Sequence, residues 1–173
     1  DLDIDNPLWM AIFHSISAFC TAGFSLFDDS LTQYSNDPLI TSTILSLSLL
    51  GSIGFIVLLD FWLKLIRKRK RITLTSKIIL LTTFLIWIVA AITIFLSDNS
   101  LFSKGWVGLA LSSFQSISAH TTVGFNNYDI EALDTAGVFV LIVVMIVGAS
   151  PAGTGGGIKT TSVTAIIAKL FTS

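Results

Sequence analysis

A chain of 173 residues that is 53% hydrophobic and only 12% charged, with a mean hydropathy of +0.83, does not read as an ordinary soluble domain. Its net charge of −1 decides nothing until the charges are placed along the chain. Lone Cys20 excludes an internal disulfide and reads as a small packing residue rather than a nucleophile, because no acid and base accompany it. Segments 39–66 and 78–96 are apolar runs of the length that a bilayer-spanning helix needs, roughly 20 residues. Asp60 is the one charge in the first before its last few residues, and the second has none.

The first element, 7–18, has helical composition, Asp5 or Asn6 as cap and Pro7 in the first turn. At about 1.5 Å per residue it reaches about 18 Å, too short to span. It runs into Thr21-Ala22-Gly23-Phe24, and acidic flanks on both sides make it a re-entrant hairpin. Segment 39–66 then descends as one helix, with Gly51 and Gly54 on adjacent turns as a close-packing face. It ends at Arg67-Lys68-Arg69-Lys70-Arg71, flanked by Lys64 and Lys77. Such a run attracts nucleic acid or anionic lipid in other settings, but between two spans it is an orientation signal that places 67–71 in the cytoplasm, and no nucleic-acid partner is expected. Asp1, Asp3, Asp5, Asp28, Asp29, Asp37, Asp98, Asp129, Glu131 and Asp134 then fall outside, and Asp60 lies near the cytoplasmic end of its helix. Segment 73–96 returns outward, 97–100 is a short external turn, and Trp87 and Trp106 read as interface anchors. The acidic start lacks the basic region of a cleavable signal, and the absent initiator methionine leads us to expect a fragment.

The next short helix, 105–119, repeats the first. Phe13-His14-Ser15-Ile16-Ser17-Ala18 precedes Thr21-Ala22-Gly23-Phe24, as Phe114-Gln115-Ser116-Ile117-Ser118-Ala119 precedes Thr122-Val123-Gly124-Phe125, and the register continues to Asp28 and Asp129. The unit is long helix, half-helix, glycine turn, long helix. This sets expected boundaries of 1–71 for the end of one unit and 72–173 for most of the next. The fold class is therefore an all-α membrane protein of repeated helix, re-entrant pore loop and helix.

The last long segment, from Thr135, is broken. Gly148, Ala149, Ser150, Pro151, Ala152, Gly153, Thr154, Gly155, Gly156 and Gly157 cannot hold a continuous helix, since glycine lowers helix propensity and proline removes a donor. A plug or gate near mid-membrane is the functional reading and a passive kink the plain one. A nucleotide-binding P-loop is the rival reading of this segment. It fails because Ile158 stands where glycine must precede Lys159, and no acidic residue follows Asp134.

A dehydrated cation needs several oxygens aimed at one point, and backbone carbonyls supply them without full negative charge. Glycine permits the required backbone, and each short helix directs the negative end of its dipole to the same place. The two Thr-x-Gly-Phe turns, together with Gly148 to Gly157 and the following Ile158-Lys159-Thr160-Thr161, resemble the Trk/Ktr/HKT superfamily of potassium transporters, nearest to its bacterial membrane subunits of the KtrB and TrkH kind. The resemblance covers essentially the whole chain.

It implies four repeats around one pore, of which this chain carries the end of the second and most of the third. Gly23 and Gly124 become the filter glycines around potassium, with carbonyls from Thr21, Ala22, Phe24, Thr122, Val123 and Phe125. The glycine-rich break becomes a gating loop. Glycine at both positions implies potassium preference, and no cofactor is implied beyond transported potassium, with sodium as coupling or regulatory ion. The implied setting is a multi-pass protein of the bacterial plasma membrane, pore loops opening outward. Its partners are the bilayer, the missing repeats, a second copy as homodimer and a cytosolic nucleotide-binding regulatory subunit. It is not an enzyme.

Relatives often carry arginine where His120 stands. His120 is either a pH-sensitive element of the outer mouth or, as preferred, a hydrogen-bonded spacer, and His14, matched by Gln115, is structural. Lys159 repels cations, pairs with an acid elsewhere in the missing chain or reaches cytoplasmic water. A non-conducting or sodium-conducting homologue stands as the alternative function.

Overall fold

The computed structural model describes residues 6–172, so Asp1, Asp3 and Asp5, expected on the outer side, lie outside the described residues. The described residues are helical with no strand. In chain order the helices are α1 (Pro7–Phe19), α2 (Pro38–Ile53), α3 (Phe55–Leu65), α4 (Leu74–Ser97), α5 (Asn99–Ser103), α6 (Trp106–Thr121), α7 (Thr135–Ile146) and α8 (Thr160–Thr172).

The starts of α1 and α2 use one device. Asn6 accepts from the Leu8 amide and Asp37 from the Leu39 and Ile40 amides, each followed by proline at the first helical position, where no amide is needed. Helix α4, of 24 residues, is long and apolar enough to cross a membrane unaided, and Leu81, Leu85, Val89 and Ile92 on its surface are exposed. An apolar exterior of this kind faces lipid or other protein.

The expected single helix over 39–66 is not formed. It breaks at Gly54, where α2 and α3 meet at 97°. Gly54 has φ 88° and ψ 155°, a conformation open essentially to glycine alone, so it is a break point as well as a close-packed glycine. Gly51 does serve close contact, because a Cβ there would lie 1.9 Å from the Phe19 carbonyl oxygen. The 97–100 segment is likewise more than a turn. Asp98 caps α5 by accepting from the Ser100 and Leu101 amides, and its second oxygen accepts from the Asp134 amide at the start of α7. Cys20 is exposed, not packed.

Helix α6 lies at the centre, against α2, α4, α5 and α7, whereas α1 packs chiefly on α2. One apolar cluster joins α4, α6 and α7 through Ile94, Leu111, Leu141 and Val144. A second joins the two repeated motifs, with Ala18 of α1 against Phe114, Val123 and Phe125. On the basic side, buried Asp60 accepts from Arg69 at 2.5 Å, from Ser76 at 2.7 Å and from Thr73, which ties α3 to the start of α4 across the 67–71 run.

Candidate functional site

Both short helices end in the same backbone. Thr21 (φ 51°) and Thr122 (φ 57°) are left-handed, and Gly23 (φ 71°) and Gly124 (φ 85°) again have positive φ, while Ala22 and Val123 between them do not. The Thr21 and Thr122 amides donate to Ala18 and Ala119 carbonyls, both at 3.1 Å. The Ala22 and Val123 amides donate to Ser17 and Ser118 carbonyls at 2.8 and 3.1 Å. The Ser17 and Ser118 hydroxyls then reach across each turn to the Phe24 and Phe125 carbonyls, at 2.8 and 2.6 Å.

This last pair of bonds is a feature the sequence reading passed over, although its signal was present. Ser17 and Ser118 are the second serine of the repeated Phe-x-Ser-Ile-Ser-Ala motif. Alternation of positive and negative φ turns successive carbonyls toward one side, whereas an extended strand sends them to alternate sides. Each turn can thus offer a row of neutral oxygens at the negative end of a helix dipole.

The turns touch. A Cβ built on Gly23 would lie 1.7 Å from the Val123 carbonyl oxygen, so only glycine permits this approach, while a Cβ on Gly124 would meet nothing within 4 Å. Phe125 is fully buried and Phe24 is 71% exposed. Beside them opens a cavity of about 860 Å³ whose lining includes Asp28, Asp29, Asn126, Asn127, Asp129 and Glu131.

The glycine-rich segment lies against the other end of the turns. The Gly156 amide donates to the Thr122 hydroxyl at 2.6 Å, the Thr154 hydroxyl to the Phe19 carbonyl at 3.2 Å, and a Cβ on Gly155 would lie 2.5 Å from the Thr121 carbonyl oxygen. The segment folds on itself through Ala149 N to Gly156 O at 3.0 Å and leaves α7 and α8 as separate helices. The Lys159 ammonium donates to the Gly155 carbonyl at 2.7 Å and clasps the loop.

His120 is buried and bridges elements, with Nδ1 3.0 Å from the Val147 carbonyl and Nε2 3.4 Å from the Thr83 hydroxyl. His14 is buried too, 2.8 Å from the Met10 carbonyl and 3.1 Å from the Ser25 hydroxyl. No group of three or more His, Cys, Asp or Glu side chains able to hold a metal ion occurs among the described residues.

Comparison with known proteins agrees with this architecture. The TrkH family, described as cation transport protein, matches residues 2–173. The chain is 35% identical over 156 residues to the Ktr system potassium uptake protein B of Vibrio alginolyticus, covering 88% of this chain and 34% of that protein. It is 34% identical over 173 residues to the protein of the same name from Bacillus subtilis, covering 96% and 38%. It is 32% identical to the potassium/sodium uptake protein NtpJ of Enterococcus hirae, covering 90% and 35%. The chain thus spans a little over a third of the length of these curated relatives. Among solved structures, the potassium transporter TrkH from Vibrio parahaemolyticus superposes with a TM-score of 0.75 at 21% identity, over 92% of this chain and 34% of that one, which shows a shared all-helical membrane fold. This chain belongs to the TrkH family of cation transport proteins.

Proposed function

We propose that the chain forms part of a pore for potassium uptake across the plasma membrane, as the end of one repeat (1–71) and most of the next (72–173). The observation that carries this reading is the pair of matched turns, each held by the same serine-to-carbonyl bond and set against one glycine-rich loop. Carbonyls of Thr21, Ala22, Gly23, Phe24, Thr122, Val123, Gly124 and Phe125 supply half of a fourfold filter, with potassium passing at Gly23 and Gly124. The loop from Gly148 to Gly157, clasped by Lys159, is the gate. The acidic cavity faces outside and draws cations toward the filter, while the basic 67–71 run faces the cytoplasm. Further repeats, a second copy of the chain and a cytosolic nucleotide-binding regulatory subunit complete the assembly.

The named relatives support this assignment, and NtpJ, a potassium/sodium uptake protein, keeps sodium in view as a second ion. The deciding experiment expresses the full-length protein in a bacterium that lacks potassium uptake. Growth at low external potassium is expected, and no rescue despite good membrane expression would overturn the reading. Removal of 152–156 from that protein is expected to raise basal flux, and unaltered flux would make the loop a passive kink.

A further inference from the structure

In an unbroken helix the Phe55 amide donates to the Gly51 carbonyl, and the next two amides donate to the Ser52 and Ile53 carbonyls. Here the glycine-rich loop has taken those groups. The Thr154 amide donates to Gly51 O at 3.1 Å and the Ser150 amide to Ser52 O at 3.3 Å, while the Phe55 amide donates to Ala152 O at 3.0 Å. The Ser150 hydroxyl shares its proton between the Ser52 carbonyl, at 2.9 Å, and the Ile53 carbonyl. The loop therefore holds three carbonyls and one amide that a straight 38–65 helix needs for itself.

We propose that Ser150 is a positioning residue that docks the loop on the bent α2–α3 junction, so that release of the loop and straightening of 38–65 into one span are a single exchange of hydrogen bonds. Either arrangement pairs the Gly51, Ser52 and Ile53 carbonyls and the Phe55 amide, as buried polar groups require, while straightening frees the Ser150 and Thr154 amides and the Ala152 carbonyl of the loop. The two exclude each other at the Phe55 amide, whose single proton goes to Ala152 O in the bent form and to Gly51 O in the straight one.

Gly54 supplies the second line of argument. A Cβ there would lie 2.6 Å from Pro151 O, 2.8 Å from the Ser150 hydroxyl and 2.9 Å from the Gly153 amide. A side chain at this position opposes the bend and pushes directly on the docked loop, so it favours the straight form twice over. Asp60, midway along α3, accepts from Arg69 in the basic run and from Thr73 and Ser76 at the start of α4, so a swing of α3 acts on both. That joins the loop beside the turns to the face proposed to be cytoplasmic.

The proposal rests on reading the loop as the gate, and the test separates the two ideas. In the full-length protein with Cys20→Ser, spin labels at Ser46→Cys and Leu65→Cys report the junction, both positions being exposed. Potassium flux into proteoliposomes reports the gate. Straightening lengthens the label separation by about 9 Å, from a rise of 1.5 Å per residue on either side of the bend. Ser150→Ala and Gly54→Ala are each expected to shift the distance distribution to the longer value and raise basal flux roughly twofold to tenfold, the population change from losing one net hydrogen bond. Ser150→Thr, which keeps the hydroxyl, is expected to restore the short distance. Higher flux at unchanged distance would overturn the exchange and leave the gate standing. A longer distance at unchanged flux would support the exchange and overturn the gate. No change in either quantity would overturn the exchange.

Discussion

Ser17 and Ser118 hold the Phe24 and Phe125 carbonyls in the same way, yet Phe125 is sealed in the core while Phe24 is 71% exposed. The same divergence runs through the helices that precede them. Helix α6 is enclosed by α2, α4, α5 and α7, and its residues from Phe114 to Thr121 are all buried. Helix α1 leans on α2 and leaves Ile12, Ile16 and Phe19 exposed. The turn conformation is therefore local, set by hydrogen bonds within about ten residues of chain, because it survives two different surroundings. What the surroundings decide is how much each copy costs to disturb.

The largest expected contrast is at the two glycines. Gly23→Ser in the full-length protein places a side chain against the Val123 carbonyl as well as straining a positive φ, and potassium uptake should be abolished. Gly124→Ser meets only the backbone strain, about 1–2 kcal/mol, and should leave uptake measurable with weaker preference for potassium over sodium. Ion-competition uptake assays check both, and equal effects would break the contrast.

Next come the serines. Ser118→Ala strands a carbonyl beside a fully buried Phe125 and should lower stability by about 1–3 kcal/mol, read as a lower melting temperature in detergent. Ser17→Ala should cost less, because water can reach the exposed Phe24 side. A smaller effect is expected for His14→Gln, which copies Gln115 of the other repeat. Gln115 donates to the Tyr128 carbonyl at 2.9 Å, and a glutamine at 14 should keep only part of the three histidine bonds, to Met10, Ser25 and Leu26, at a loss of about 1 kcal/mol.

The smallest concerns Asp98, whose cap and collar helix α5 belong to the enclosed copy alone among the described residues. Burial acts to raise its carboxyl, but hydrogen bonds from Ser100, Leu101 and Asp134 outweigh it and hold the group below the usual carboxylate range. A lowered value means that the stabilisation is complete above the unfolded value of about 3.9 and is lost as pH falls through the folded one. The melting-temperature gap between wild type and Asp98→Asn should therefore stay constant from about pH 8 to about pH 5 and close below about pH 4. A gap that closes near neutrality would point to another group.

Much of this site was legible because it was written twice. A repeated motif exposes its own constraints: the bonds of Ser17 and Ser118, the left-handed Thr21 and Thr122 and the positive φ of Gly23 and Gly124 recur in space at the register they hold in the sequence. Asp60 and Ser150 had no such copy. Asp60 looked like a charge near a helix end, and its partners Arg69, Thr73 and Ser76 become neighbours only when the basic run folds back. Ser150 was one polar residue among glycines until the loop met the Ser52 and Ile53 carbonyls.

From the sequence alone follow the membrane class, the two turns and the interruption of the last helix, since each depends on composition or on bonds between near neighbours. The bend at Gly54 follows from none of these. Leucine-rich sequence on both sides favours continuation, and a lone glycine costs only about 1 kcal/mol in a helix. Only the tertiary structure decided it, because the groups that compensate the broken helix come from the distant loop, in Ser150, Ala152 and Thr154, and nothing near residue 54 announces them.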